Sequence, residues 1–317
     1  MLNNGWPLLL TLLIQAMVAM ALLTLPVMAP VVVEAMKVSP ALVGLYVSVT
    51  YAGAMVSALM GGAIVARLGA IRVSQWGLML CSVGLLLCAV PWLPAMVLGA
   101  VLIGLGYGPI TPASSHLLAR TTPAHQMSLV FSIKQTGVPL GSMLAGAIVP
   151  PLLLVSSWQA SLMAVALVCV LCAWGAQVLR TRLDSDRRAD ALVQWGSLVQ
   201  PIRLVLAHRA LYTMASCSFM FSMVQLSLTT YLVTFLHDDL SYGLVAAGLA
   251  LSATQMGGMG GRIVWGYVAD RWLGARRMLL LLASMMALGA LASAFLSADT
   301  PKAMVVAILV AFGASAI

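Results

Sequence analysis

GAIVARLGAIR, residues 62–72, and GYVADRWLGARR, residues 266–277, are two related segments in different halves of the chain. Each one ends an apolar run, contains a glycine at which the chain can turn, and places arginines before the next apolar run. A matched feature that recurs at such a distance indicates a duplicated architecture, as in transporters built from structural repeats.

The composition predicts that this chain lies in a membrane. Of its residues 62% are hydrophobic and only 8% are charged, whereas a soluble domain has about 25% charged residues. A membrane-spanning helix needs about 20 apolar residues, and the apolar runs predict about ten spans. These spans are 8–31, 41–65, 73–92, 95–117, 128–150, 158–179, 211–236, 243–267, 278–297 and 302–317.

The cations lie in alternate loops between these spans. With the N-terminus in the cytoplasm, the outer loops hold only Lys37 and Lys302. The cytoplasmic loops then hold Arg67, Arg72, Arg120, Arg180, Arg182, Arg187, Arg188, Arg203, Arg209, Arg271, Arg276 and Arg277. This bias predicts a multi-pass protein of a bacterial cytoplasmic membrane with a cytoplasmic N-terminus and the lipid bilayer as its partner. It explains the net charge of +8 without nucleic-acid binding.

The one long polar segment, residues 180–209, separates six predicted spans from the rest. Its later part, from Leu192 to Leu206, has apolar residues at helical spacing. Two interpretations are open: a helix along the inner membrane face, or an ordinary helical linker. The predicted units are a bundle at 1–179, a cytoplasmic linker at 180–209 and a second, partial bundle at 210–317.

The two loop segments resemble the loop signature of the major facilitator superfamily, which recurs between helices 2 and 3 and between helices 8 and 9. The first copy has Gly62, Arg67, Gly69 and Arg72, with Ala66 where the family usually has Asp. The second copy has Gly266, Asp270, Arg271, Gly274, Arg276 and Arg277, with one extra residue before its second glycine.

The resemblance implies an all-α fold of two six-helix bundles that give alternating access to a central site. It also implies that the second bundle is incomplete, because the family has twelve spans and this sequence provides about ten. In such transporters the loop charges latch the two halves, so Arg262 is expected to cluster with Asp270 and Arg271. The alternative is solvated topology charge, which Ala66 favours for Arg67 and Arg72.

Lys134 is the candidate for substrate binding, because it lies roughly 10 Å inside the inner end of the fifth span. A cation at that depth is costly unless it faces water or a partner. In one interpretation it faces the central cavity and attracts an anionic group of the substrate. In the other its stem extends to the membrane interface.

Gly137, Pro139 and Gly141 follow Lys134 on the same span and resemble the family's glycine-proline motif. Glycines allow close helix packing, and a proline leaves one backbone carbonyl without its helical donor. We expect a bending point for alternating access, or close packing alone.

The other candidates for binding are polar residues on spans that line the cavity in the resembled family: Gln15, Tyr51, Gln135, Gln225 and Gln255. For each glutamine, hydrogen bonding between helices is the alternative.

These observations predict a transporter of a small organic solute, most simply an organic anion, that works by alternating access. The alternatives are efflux of hydrophobic drugs, favoured by 21 methionines, and a transport-inactive fragment.

An enzyme is not indicated, because the sequence shows no cluster of catalytic side chains at one membrane face. The five cysteines lie in apolar runs without further ligands, so neither a metal nor a cofactor is expected. A coupling ion is open, because no Asp or Glu lies at mid-depth in these spans.

Overall fold

The computed structural model of the chain describes residues 5–185 and 196–317, and all its regular elements in these ranges are helical. The first half contains α1 Gly5–Val27, α2 Ala29–Met36, α3 Ala41–Leu68, α4 Ala70–Cys88, α5 Leu93–Tyr107, α6 Ile110–Thr121, α7 Met127–Gln135, α8 Gly137–Val155 and α9 Trp158–Leu183. The second contains α10 Gly196–Ala207, α11 Arg209–Asp238, α12 Leu244–Val268, α13 Gly274–Ala294 and α14 Lys302–Ala316. A 3₁₀ turn, Ala124–Gln126, precedes α7, and a π-helical turn, Ala269–Leu273, precedes α13.

Each of the ten predicted spans corresponds to a helix or to a pair of consecutive helices. In the described residues, eight segments are long and apolar enough to cross a membrane. They include Leu93–Thr121, which contains α5 and α6, and Leu129–Val155, which contains most of α7 and α8. The other two predicted spans are α12, whose glycines and Gln255 lower its hydropathy, and α14, which has only 15 residues.

α1 lies at the centre of the first half and packs against α8, α9 and α4. Its residues from Ile14 to Val27 are almost completely buried, so this helix has no lipid-facing side over that length. α4 packs against α5 and α9, and α3 packs against α5. In the second half α12 packs against α14, and it also packs against α8 of the first half.

Glycines set how closely α8 approaches its neighbours. A Cβ atom at Gly141 would overlap the carbonyl oxygen of Ala16 in α1. Gly146 and Gly248 face each other across the two halves, where a Cβ on either one would overlap the carbonyl oxygen of the other. Ser252 adds a hydrogen bond there, because its hydroxyl donates to the carbonyl of Met143 at 2.8 Å. The α8–α12 contact is therefore a contact of backbones.

The first of the two related loops turns at Gly69, whose φ of 92° is unfavourable for other residues. The next helix, α4, is capped by a distant carboxylate. Oδ1 of Asp184 accepts from the N–H of Ile71 at 2.8 Å, and Oδ2 accepts from the N–H of Arg72 at 2.9 Å. A negative charge stabilises a helix N-terminus, so Asp184 ties the end of α9 to the start of α4.

The second loop contains the extra residue before its glycine, and the structure accommodates it as the π-helical turn Ala269–Leu273. One inserted residue in a helix is the usual origin of such a turn. The chain then turns at Gly274, with φ of 72°, as it does at Gly69. The two copies thus share a turn at their second glycine and differ by one helical residue before it.

The arginine-bearing loops lie at one end of the helices, and this end is called the arginine side below. The predicted linker is described only in part, since residues 186–195 lie outside the described ranges. α9 extends to Leu183 and α10 covers Gly196–Ala207, so helix occupies much of the remaining linker.

Candidate functional site

A narrow cavity of about 30 Å³ lies between the two halves. Helices α1, α3, α5 and α8 of the first half and α11 and α12 of the second half line it. Its lining residues are Ala19, Leu22, Leu23, Val47, Tyr51, Tyr107, Val138, Ser142, Gln225, Leu226, Thr229, Thr230 and Gln255. Three of the predicted binding residues, Tyr51, Gln225 and Gln255, are thereby brought together.

The polar groups of this cavity are neutral. Tyr51 and Tyr107 form an edge-to-face pair with ring centroids 6.1 Å apart. Gln255 is 1% exposed, and its Nε2 has no hydrogen-bond partner among the described residues. The hydroxyl of Thr229 donates to the carbonyl of Gln225 within its own helix. A ligand would therefore meet phenols, a free amide donor and hydroxyls, with no charge among the lining residues.

Lys134 lies on the arginine side of this cavity. It is 2% exposed, and its Nζ donates to Oγ of Ser115 at 2.9 Å and to the carbonyl of Thr111 at 3.3 Å. Both partners belong to α6 and are neutral. Lys134 precedes the lining residue Val138 by one helical turn, about 6 Å. It is not among the lining residues themselves, and its burial means that the stem does not extend to an exposed interface.

Arg262 also lies on the arginine side of the cavity. It follows Gln255 on α12 by about 10 Å along the helix. Its Nη1 donates to the carbonyl of Gln135 at 3.1 Å, and its Nε donates to the backbone oxygen of Ile317, the last residue of the sequence, at 2.7 Å. The first bond joins the second half of the chain to the residue next to Lys134.

The carbonyl of Gln135 is available because of Pro139. In a continuous helix this carbonyl would accept from the N–H four residues later, but proline has no N–H. The helix is interrupted at Thr136, between α7 and α8, at the place where the sequence predicts a bending point. The role of this interruption in alternating access stays a prediction.

Two of the predicted binding residues lie elsewhere. The side chain of Gln135 is exposed and does not line the cavity. Gln15 is 2% exposed, and neither its Oε1 nor its Nε2 forms a hydrogen bond with the described residues. It packs against α8, where a Cβ atom on Gly137 would lie 2.9 Å from the Cβ of Gln15. The alternative of interhelical hydrogen bonding is therefore not observed for Gln15.

The predicted gating residues are placed as follows. Gly62 and Gly266 have open space around their Cα atoms, so close packing does not require them. Gly137 and Gly141 pack against α1. Among the predicted arginines of the two loops, Arg72 is half-buried. The others are exposed: Arg67, Arg271, Arg276 and Arg277. The side chain of Asp270 lies outside the described residues, so its cluster with Arg262 and Arg271 stays a prediction. Arg262 itself donates to the backbone oxygens of Gln135 and Ile317.

Tyr107, Ser142, Thr229 and Thr230 line the cavity and were not chosen from the sequence. Thr229 follows Gln225 by four residues, so the two share one face of α11. This spacing is a signal that the sequence contains. Tyr107 follows alternating glycines in α5, where the sequence gives no indication of its direction.

The helix order and the cavity between two halves agree with a comparison against known families. The model of the Major Facilitator Superfamily matches residues 9–317. The chain belongs to this superfamily. It is accordingly an integral, multi-pass membrane protein, and the family consists of transporters rather than enzymes.

Two relatives of the chain are named for the compounds that they transport. The chain is 27% identical over 225 residues to "Sodium-dependent phosphate transport protein 1, chloroplastic" of Arabidopsis thaliana. This match covers 67% of this chain and 44% of the relative. It is 21% identical to "Hexuronate transporter" of Bacillus subtilis, with 78% of this chain and 60% of the relative covered. The chain thus spans about half the length of these relatives.

The fold is also that of a solved transporter. The crystal structure of a bacterial homolog of the human lysosomal transporter Spinster, in an inward-facing and occupied conformation, superposes with a TM-score of 0.73. Its sequence is 16% identical, and the match covers 98% of this chain and 72% of that chain. At this identity the comparison establishes the fold alone.

Proposed function

We propose that the protein transports a small organic anion across a bacterial cytoplasmic membrane by alternating access, and that the substrate also carries hydroxyl groups. The observation that carries this proposal is the position of Lys134. Its ammonium group is buried within a membrane-spanning segment and has only neutral partners among the described residues. An intramembrane cation of this kind is expensive, so it marks a functional site, and its positive charge would attract an anion.

Arg262 strengthens the electrostatic argument. It lies on the same side of the cavity as Lys134, and its Nη1 donates to a neutral backbone carbonyl, that of Gln135. Two cations in a region of low dielectric attract an anion more strongly than they would in water. A substrate that leaves the cavity toward the arginine side would pass both of them.

The chemistry of the cavity lining suits the rest of such a substrate. Tyr51, Gln225, Gln255 and two threonines offer neutral donors and acceptors, which hydroxyl groups of a substrate can satisfy. No methionine is among the lining residues, so the feature that favours drug efflux is absent from this lining. The names of the relatives that transport phosphate and hexuronate support an anion as well.

The test is uptake into liposomes that contain the purified protein, with a panel of labelled hydroxylated carboxylates and matched neutral sugars. We expect uptake of at least one anion and none of the neutral sugars. Lys134→Ala should lower kcat/KM for that anion by about tenfold or more, since it removes the charge that attracts the substrate.

Lys302→Ala is the matched control, because Lys302 is exposed at the opposite end of the helices, above the ring of Tyr242. It should leave uptake unchanged. Transport of anions by Lys134→Ala at the rate of the parent protein would show that the anion hypothesis is wrong. Absence of uptake for every compound, beside activity of a version extended by two spans, would favour the transport-inactive fragment.

A further inference from the structure

A groove on the outer surface of the first half, between α4 and α9, has the features of a lipid-binding site. It contains about 1060 Å³ of empty space, part of which is open to the surroundings. Trp76 of α4 and Trp174 of α9 line it, and they are 55% and 76% exposed. Both helices are long and apolar enough to span the membrane, so this groove faces lipid rather than water.

One end of the groove is polar. Nε2 of Gln75 donates to Oε1 of Gln177 at 2.9 Å and to the carbonyl of Ala173 at 3.0 Å. The guanidinium of Arg72 lies 5.6 Å from the centre of the Trp76 ring, and its Nη1 is 3.4 Å from Oε1 of Gln75. α4 begins and α9 ends at the arginine side, so these groups lie near the membrane surface.

The other end of the groove is apolar. Met79 follows Arg72 by seven residues, and Val170 precedes Gln177 by seven residues, so both lie about 10 Å deeper in the membrane. The groove therefore changes from polar to apolar with depth, as a phospholipid does. Tryptophans commonly lie at this interface, with an apolar ring and one polar N–H.

The charge of Arg72 has no carboxylate partner among the described residues. Asp184, which contacts the start of α4, accepts from the backbone N–H groups of Ile71 and Arg72. Position 66, where the family usually has an acid, is Ala66. The Arg72 guanidinium is half-buried, and within the described ranges it donates to a single neutral amide oxygen, so most of its donors remain for an anionic group.

We propose that this groove binds an anionic phospholipid from the leaflet at the arginine side. Arg72 donates to the phosphate, Gln177 contacts the headgroup, and an acyl chain lies against Met79 and Val170. The inner leaflet of a membrane is negatively charged and attracts cations at its surface. The groove adds to that attraction a fixed hydrogen-bonding direction and an apolar wall.

Native mass spectrometry of the detergent-purified protein tests the proposal, by titration with phosphatidylglycerol and, separately, with phosphatidylcholine. We expect tighter binding of phosphatidylglycerol. Arg72→Gln should weaken it about fivefold, from the loss of ~1 kcal/mol per basic residue near a membrane surface. Arg67→Gln is the matched control, since it removes the same charge from the same loop at an exposed residue outside the groove.

A second variant tests the apolar part of the site. Trp174→Ala removes an exposed ring from the groove wall. It should also weaken the binding of phosphatidylglycerol, while the fold is retained. Equal weakening by Arg67→Gln would show a diffuse surface charge and overturn the proposal. It would also be wrong if phosphatidylcholine bound as tightly, or if millimolar inorganic phosphate displaced the lipid, because the site would then recognise a free anion.

Discussion

A single carboxylate, that of Asp184, joins the last helix of the first half to the start of α4. Its two oxygens accept from the backbone of Ile71 and Arg72, and the side chain is 7% exposed. Next to it, Arg120 donates to the carbonyl of Leu183 at 2.8 Å. The arginine side of the first half is thus held by contacts between α4, α6 and α9.

Asp184→Asn should therefore destabilise the protein. An amide has one oxygen in place of two and no charge, so it satisfies fewer of the N–H groups and loses the attraction to the helix N-terminus. We expect a loss of about 1–2 kcal/mol, seen as a Tm several degrees lower in detergent. Asp299→Asn, at an exposed residue, is the control. A Tm equal to that of the control would show that the cap contributes nothing.

The sequence shows the lack of an acid at Ala66 but gives no sign that Asp184 supplies a charge near that loop. The two partners are more than a hundred residues apart in the chain, and a cap of this kind depends on how α4 and α9 pack. Lys134 is the opposite case, because its depth in an apolar span can be calculated from the sequence. Its partners in α6, Thr111 and Ser115, could be found only from the structure.

At the scale of helices, prolines and glycines explain where the predicted spans are interrupted. The fourth predicted span divides at Gly108 and Pro109, and the fifth divides at Thr136. The sequence indicated a bend near Pro139. It did not indicate that the carbonyl released there would accept from Arg262, because that bond joins the two halves.

Pro139→Ala restores an N–H that can donate to the carbonyl of Gln135. The helix should then continue through Thr136, and Arg262 should have to share its acceptor. We expect a lower maximal rate of transport, because the interruption is lost, and little change in Tm, since Pro139 lies in the first turn of α8, where proline is tolerated. The measurements are Tm and uptake into liposomes. Pro151→Ala, in the same helix α8, is the control and should not lower the rate.

The contact between α8 and α12 gives a second prediction at this scale. In Gly248→Ala the new Cβ would lie 2.5 Å from Cγ of Pro150 and would overlap the carbonyl of Gly146. We expect destabilisation of about 1–3 kcal/mol from overpacking. Gly175→Ala introduces the same methyl group where no atom lies within 4 Å, so it should be neutral or stabilising. Similar Tm values for the two variants would show that this close contact is unimportant.

For the molecule as a whole, helix order and number were predicted from hydropathy and from the family resemblance, whereas the cavity lining was predicted only in part. Hydropathy does not tell which helices face lipid. α1 has a mean hydropathy of 2.4 and no lipid-facing side from Ile14 to Val27, whereas α12 is less apolar and is covered by α8 and α14. Which side chains line the cavity therefore depends on how the helices pack.

The arrangement of charges predicts the orientation of the whole molecule, and cysteine labelling can test it. Arg277 lies near the start of α13 and Asp299 lies after its end, so the two residues are on opposite sides of the membrane. Because cytoplasmic loops carry an excess of Lys and Arg, the Arg277 side should be the cytoplasm. In a version without the five native cysteines, Asp299→Cys should react with an impermeant maleimide on intact cells. Arg277→Cys should react only after the cells are permeabilised. Labelling of Arg277→Cys in intact cells, without labelling of Asp299→Cys, would reverse the orientation, and the cations Lys134 and Arg262 would then lie toward the outside.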